Sequence, residues 1–453
     1  MHVGIAQVDW TPPAGLPLMG HVRSDYAAAG VHDPLYAKAV VFADDAGGKL
    51  AVLSVDVCML GRGHVASMRR YIAERCEIAP QNILIAATHI HSGPATMSLY
   101  QMPAVDDEQM ARYLQRACEA VIEAANANNK NLQPARLRVG AGRVENLSFC
   151  RRLRCSDGVL RMNWEDLAVL AECVTEPAGP IDPEVAVLIV EQGGCARAVI
   201  VNFALHPAFL DYENQLYSGG YPGYLAEAMT QRMGGEFTTL FLTGCCGDLN
   251  HLNCAAPDAP RRGHDAARRG HDAARRTGYA LADAVAAAMN AAEPMEADTI
   301  AVSHESVPLT RLRLTDEQVR WARGVLEAPP SKAQADTDGL PAGAKAATWL
   351  AMHELAGSDD RVEVMAARIG EIGLVGLPGE VFCQLGLSIK SASPARRTFI
   401  AELANDAIGY LPTAGAFDEG GYETTPGATH YDRTAGQTLA ASAQRQLSRL
   451  FRG

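Results

Sequence analysis

The stretch Asn82–Pro94, NILIAATHIHSGP, carries two histidines directly after an apolar run. Residues two apart on an extended strand face the same side, so His89 and His91 are expected to present both imidazoles to one face. Such a pair is by itself a modest signal for a metal ion, the other reading being hydrogen-bonded histidines in a turn. Three further apolar runs end in polar groups. Val199–Leu205 leads into His206-Pro207, Gly373–Leu377 into Pro378-Gly379-Glu380, and Thr398–Leu403 towards Asn405 and Gly409-Tyr410. A histidine and a carboxylate are ordinary zinc ligands, and a catalytic zinc keeps one position for water. Each exit alone reads as a turn. Four together point to a site at the C-terminal edge of a sheet, where ligands gather in open α/β folds.

The elements that must position these residues are short. Lys49–Val57 reads as a strand with Asp56 near its end. Asn82–Ala87, Ala196–Leu205 and Thr238–Leu242 are apolar on both faces, as strands inside a sheet should be. Val362–Leu377 reads as two strands joined at Gly370-Glu371, and Thr398–Leu403 as another. Helical patterns cover Val65–Cys76, Glu108–Ala127, Gly278–Ala292 and Glu380–Ser391, the last opened by Glu380. The expected fold is α/β, a large mixed β-sheet core flanked by helices, in a single domain over residues 1–453.

Two segments read as peripheral. Residues 327–346 hold Pro-Pro, Gly-Leu-Pro and Ala-Gly and suggest an exposed loop. Residues 261–277 begin with a tandem heptad, RRGHDAA at 261–267 and again at 268–274. It reads as a solvated basic loop or helix extension, with a metal role for His264 and His271 as the alternative. Deleting Arg268–Ala274 is expected to leave stability and activity nearly unchanged.

Acidic residues number 52 and basic ones 40, for a net charge of −12. That balance argues against a general nucleic-acid or anionic-membrane binder. No apolar window is long enough to predict a transmembrane helix. The start, MHVGIAQV, lacks the basic and apolar regions of a secretory signal, so a cytoplasmic location is expected. The eleven cysteines are scattered, without a CxxC pair, and read as reduced buried thiols. Oligomeric state is left open, a homo-oligomer included.

The motifs THIHSGP (88–94), NFALHP (202–207), GYPGYL (220–225), GCCGDLNH (244–251), GLPGEVF (376–382), NDAIGYLPT (405–413) and GGYE (420–423) occur in this order. On them the chain resembles the neutral/alkaline non-lysosomal ceramidase family, in its compact branch without the C-terminal Ig-like domain. The resemblance implies a zinc-dependent amidohydrolase with one zinc per chain, cleaving a C–N bond through a zinc-activated water. It implies His89, His206, Glu380 and Tyr410 as metal ligands. It further implies His91 as a proton-transfer or oxyanion-stabilising group, and Arg151 as a substrate-binding arginine. Tyr410 can also act on the oxyanion.

Asp248 and Asn250 follow the turn Gly244-Cys245-Cys246-Gly247 and are candidates to orient a ligand or touch substrate; Asp248 equally reads as a turn-capping side chain. Two departures from the family pattern stand out. Asn250 replaces the serine of G-D-x-S-P-N, and Gly220 replaces the acidic residue of S-x-D-Y-P-G. They favour a polar N-acyl substrate over long-chain ceramide. A zinc esterase or lactonase on a small metabolite is the first alternative, and a zinc-stabilised binding protein without turnover is the second.

Overall fold

A strand with apolar side chains on both faces needs a core on each side. Tyr36–Ala43, Lys49–Val55 and Ile83–Ala87 meet that need. Val40, Phe42, Leu50, Val52, Leu84 and Ala86 enter one buried cluster; Ala39, Val41, Leu53, Val55, Ile83 and Ile85 enter another. The protein is seen here as a computed structural model, which describes residues 1–98, 102, 104–126, 132–254, 269–328 and 341–452.

These three strands join His2–Asp9 and Gln133–Pro134 in a five-stranded sheet. A second five-stranded sheet runs in the order Thr238–Thr243, Cys195–Phe203, Glu184–Gln192, Arg136–Arg143 and Glu293–Met295. A third has four strands, Ile300–Thr310, Asp359–Ile369, Ile372–Gly376 and Arg397–Ala401. The α/β class holds, and the expected mixed sheet resolves into these three sheets with smaller ribbons beside them. One cluster, with Leu84, Leu188, Leu240, Met365 and Phe399, draws on all three. Each sheet is antiparallel except for one parallel pair at its edge. Parallel neighbours end on the same side, and the polar exits follow those ends.

Two expected elements differ in a way that matters for the site. The strand Ile83–Ala87 stops short of the histidines, and His89 takes φ +66°, so His89-Ile90-His91 is a turn rather than extended strand. Glu380 does not open a helix. It lies in the two-residue strand Glu380–Val381, and the helix begins at Cys383. The Glu380 N–H donates to Gly409 O and the Val381 N–H to the Glu402 carboxylate. The pairing with Tyr410–Leu411 holds both residues extended.

The expected loop at 327–346 is only partly seen. Ala342–Glu354 is a helix, because its alanine-rich run outweighs Gly343, and Glu327 closes the helix Asp316–Glu327. Residues 329–340 lie outside the described residues. The first heptad, with His264, also lies outside them. The second is not peripheral. It starts the helix Gly270–Asn290, where Ala273 and Ala274 pack with Tyr221, Leu225 and Leu281. Small side chains suit the spot, since this helix crosses Gly220–Met233 closely; a Cβ on Gly278 would lie 2.7 Å from Tyr221 O.

Because the two copies are identical, deleting either yields the same chain, and the copy that remains can rebuild the helix start. The deletion is therefore still expected to leave the melting temperature nearly unchanged. Ala274→Glu, by contrast, buries a charge and is expected to cost at least about 3 kcal/mol. Calorimetry on the two variants checks this. Equal midpoints would show that the helix start contributes no packing.

Candidate metal centre

The turn after Ile83–Ala87 is tied at both sides. Thr88 N donates to Val55 O and His89 N to Val57 O. Leu403 and Asn405, on the loop alongside, share the left-handed backbone of His89. Such residues cost about 1–3 kcal/mol each and persist where surrounding bonds dictate them. Here Asn405 N donates to Ile85 O at 2.8 Å, and Asn405 Oδ1 accepts from Ile85 N at 2.9 Å. The turn brings His89 Nδ1 to 2.8 Å from Cys58 O. A hydrogen on Nδ1 satisfies that carbonyl and leaves the Nε2 lone pair facing inward.

Three ring nitrogens meet there. His206 Nε2 lies 3.0 Å from His89 Nε2 and 3.1 Å from His91 Nε2, and the latter two are 3.5 Å apart. Gly20, at φ +108°, admits His91; a Cβ would fall 2.4 Å from the ring. Arg23 Nη2 donates to His91 O at 3.1 Å, and the His21 ring meets the His91 ring edge-on at 4.8 Å. Glu380 completes the group, with Oε2 3.3 Å from His89 Nε2 yet without a hydrogen-bond partner. Tyr410 is its direct opposite in a parallel pairing of two-residue strands.

The electrostatics fit a cation. Burial pushes His91 and His206 well below the usual imidazole range and keeps them neutral. Burial also acts downward on His89, but Cys58 and Glu380 outweigh it and raise the group well above that range. Burial acts upward on Glu380, yet His89 draws its carboxyl below the usual value. The pocket thus favours positive charge beside Glu380, a proton or a metal ion. Neutral imidazole nitrogens and a carboxylate are normal zinc donors, and the Tyr410 phenol lies beside them against Glu380. Burial holds the Tyr410 phenol well above its usual value, with Arg151 opposing.

Arg151 adjoins this group. Its guanidinium carbon lies 5.1 Å from the Tyr410 ring centre and 5.3 Å from that of Trp164. Nε donates to Glu423 at 2.7 Å, whereas the buried Nη2 has no hydrogen-bond partner. The Arg151 N–H donates to Asp248 O at 2.9 Å. Asp248 Oδ1 in turn accepts from Cys383 N at 2.7 Å, and burial pushes its carboxyl up to about 6. Asn250 exchanges two 2.7 Å hydrogen bonds with Asn163 and accepts from Leu252 N. Both residues therefore shape the turn beneath Arg151.

Sequence reading missed several supports. Glu402 is fully buried; its Oε2 accepts from Cys246 N and Val381 N, each at 3.0 Å, and its Oε1 from the Cys246 thiol. It joins the Gly-Cys-Cys-Gly turn to the strand of Glu380. A carboxylate inside the apolar run TFIAEL was the available signal. Glu423, equally buried, holds both Arg151 and Arg152. His271 lies apart, stacked on His32 at 3.6 Å and 11°. With Asp33 these two make a further group of ligand types, but stacked rings send their nitrogen lone pairs along parallel planes instead of towards one point.

A sequence profile of the family described as neutral/alkaline non-lysosomal ceramidase, N-terminal, matches residues 1–263. Neutral ceramidase B of Dictyostelium discoideum is 27% identical over 249 residues, 52% of this chain and 33% of that protein. Neutral ceramidase of Pseudomonas aeruginosa is 25% identical over 269 residues, 57% of this chain and 38% of that protein. The matches therefore span about a third of the length of these curated relatives. The crystal structure of neutral ceramidase from Pseudomonas aeruginosa superposes with a TM-score of 0.71 at 21% identity, covering 98% of this chain and 73% of that one.

Proposed function

The chain belongs to the neutral/alkaline non-lysosomal ceramidase family, and on that premise we propose that it is a zinc-dependent hydrolase of the amide bond in an N-acyl small molecule. The observation that carries the reading is the meeting of three imidazole nitrogens with the unpartnered Glu380 carboxylate oxygen. His89, His206, Glu380 and Tyr410 are proposed to hold one zinc, which when bound supplies a Lewis acid and an activated water.

The remaining roles fall to side chains of the chain itself. His91, kept neutral by burial, can accept a proton at Nε2 and return it to the departing amine. Arg151 Nη2 is a desolvated donor without a partner, suited to a carbonyl, carboxylate or other polar oxygen of the substrate. Glu423 fixes the guanidinium so that this nitrogen keeps its direction. Tyr410 stands between Arg151 and Glu380, placed to donate to an oxyanion when its phenol carries the proton.

We propose a polar N-acyl substrate over long-chain ceramide. Asn250 supports this indirectly, because its amide engages Asn163 where the family has a smaller hydroxyl. Arg151 does not separate the two, since the amide and hydroxyl oxygens of ceramide can equally accept from its Nη2. The test is kcat/KM for detergent-solubilised ceramide against a panel of short polar N-acyl amides. A higher value for ceramide would overturn the preference and leave a ceramidase.

A further inference from the structure

Two cysteines meet at the edge of the three-stranded ribbon formed by Leu160–Met162, Arg152–Cys155 and Val174–Pro177, one inside it and one just before its last strand. Cys155 ends the middle strand and is paired with Val174. Cys173, the residue before, closes the short helix Leu167–Cys173. Ser156 N donates to Cys173 O at 2.8 Å, so the backbone holds the two positions together from both directions. The sulfurs are 2.7 Å apart. That is closer than two unbonded sulfurs normally approach, and a bond between them needs only a small further movement towards about 2.05 Å. Cys155 is buried and Cys173 half-buried, so one sulfur is open to a small oxidant. Both are thiols in this structure.

The position has a consequence for the centre. Cys155 is four residues beyond Arg151, and the segment between the cysteines carries Trp164, whose ring packs against the Arg151 guanidinium. We propose that Cys155 and Cys173 form a reversible disulfide that closes this segment covalently over the Arg151 side of the metal centre. The co-reactant is a low-molecular-weight disulfide. One protein thiolate attacks it, forming a mixed disulfide and expelling one small thiolate. The second protein thiolate attacks the protein sulfur of that adduct, forming the Cys155–Cys173 bond and expelling the other small thiolate. The two protons lost by the cysteines end on the two small thiols; the protein is oxidised by two electrons and the small disulfide reduced by two. Burial and the neighbouring Cys155 push the Cys173 thiol above its usual range, and the Arg161 guanidinium opposes them.

The test uses the full chain equilibrated in glutathione buffers from reducing to oxidising. Free thiols are trapped by alkylation in denaturant and the chain is digested without reduction. The expected result is a peptide pair joined through Cys155 and Cys173, rising from near absent to near complete across the titration and lost on reduction. Cys155→Ser and Cys173→Ser should each abolish it. Alkylation of both cysteines in the most oxidising buffer would overturn the proposal, as would stable glutathione adducts without the cross-link. Hydrolysis is not the readout, so the outcome is independent of the proposed activity.

Discussion

His89→Ala and His206→Ala are each expected to lose zinc and hydrolysis together. Both rings present Nε2 to the same point, 3.0 Å apart. Removing one leaves a buried group with too few donors. Partners outside the ligand set of a zinc site already cost about 10–100-fold in affinity or activity when lost, and a ligand should cost more. After dialysis, elemental analysis should find about one zinc per wild-type chain and little in either variant, with circular dichroism confirming that the variants fold. Two metals per wild-type chain, or full activity in a zinc-free variant, would sink the assignment.

His91→Ala is expected to keep its zinc and lose about 10²–10⁴-fold in turnover, the range of general acid–base groups. The variant separates two roles that geometry leaves adjacent. His91 Nε2 is 3.1 Å from His206 Nε2, near enough to share a metal or to pass a proton beside one. Retained zinc with slow turnover assigns the proton role; lost zinc makes His91 a ligand. The substrate adds a second contrast. An amine leaves only with a proton, whereas an alkoxide needs it less, so amide hydrolysis should fall further than ester hydrolysis. Equal losses would count against the leaving-group role and favour stabilisation of the oxyanion.

The strands and helices were legible because burial writes itself locally. Asn82–Ala87 reads as a two-faced strand, and its alternate residues do enter two different cores. The boundary at Gly370-Glu371 is also where the chain turns between strands. The duplicated heptad was a different case. Two identical stretches cannot say which one starts a helix; that depends on the 16 residues after Ala274 that continue it to Asn290. The residues at the exits, His89, His206, Glu380 and Tyr410, could be chosen by type and by family resemblance, and the fold brings all four to one place.

Their arrangement was not in any local pattern. His89 turns inward through a left-handed backbone set by Val57 O and by Asn405 on a distant loop. Glu380 is strand and not helix because its own N–H pairs with Gly409 O in a ladder with Tyr410–Leu411, and the Val381 N–H goes to Glu402. The buried supports come from far along the chain, as with Glu423, 272 residues from Arg151. Where apolar runs stop, and which ligand-type side chains stand at their ends, is written in the chain, since both follow from burial over a few residues. Which nitrogen faces the centre, which carboxyl oxygen is left without a partner and which carboxylate is consumed by backbone donors emerge only when distant segments pack together. Those outcomes depend on how buried hydrogen-bonding groups from separate segments satisfy one another, and no segment carries that information alone.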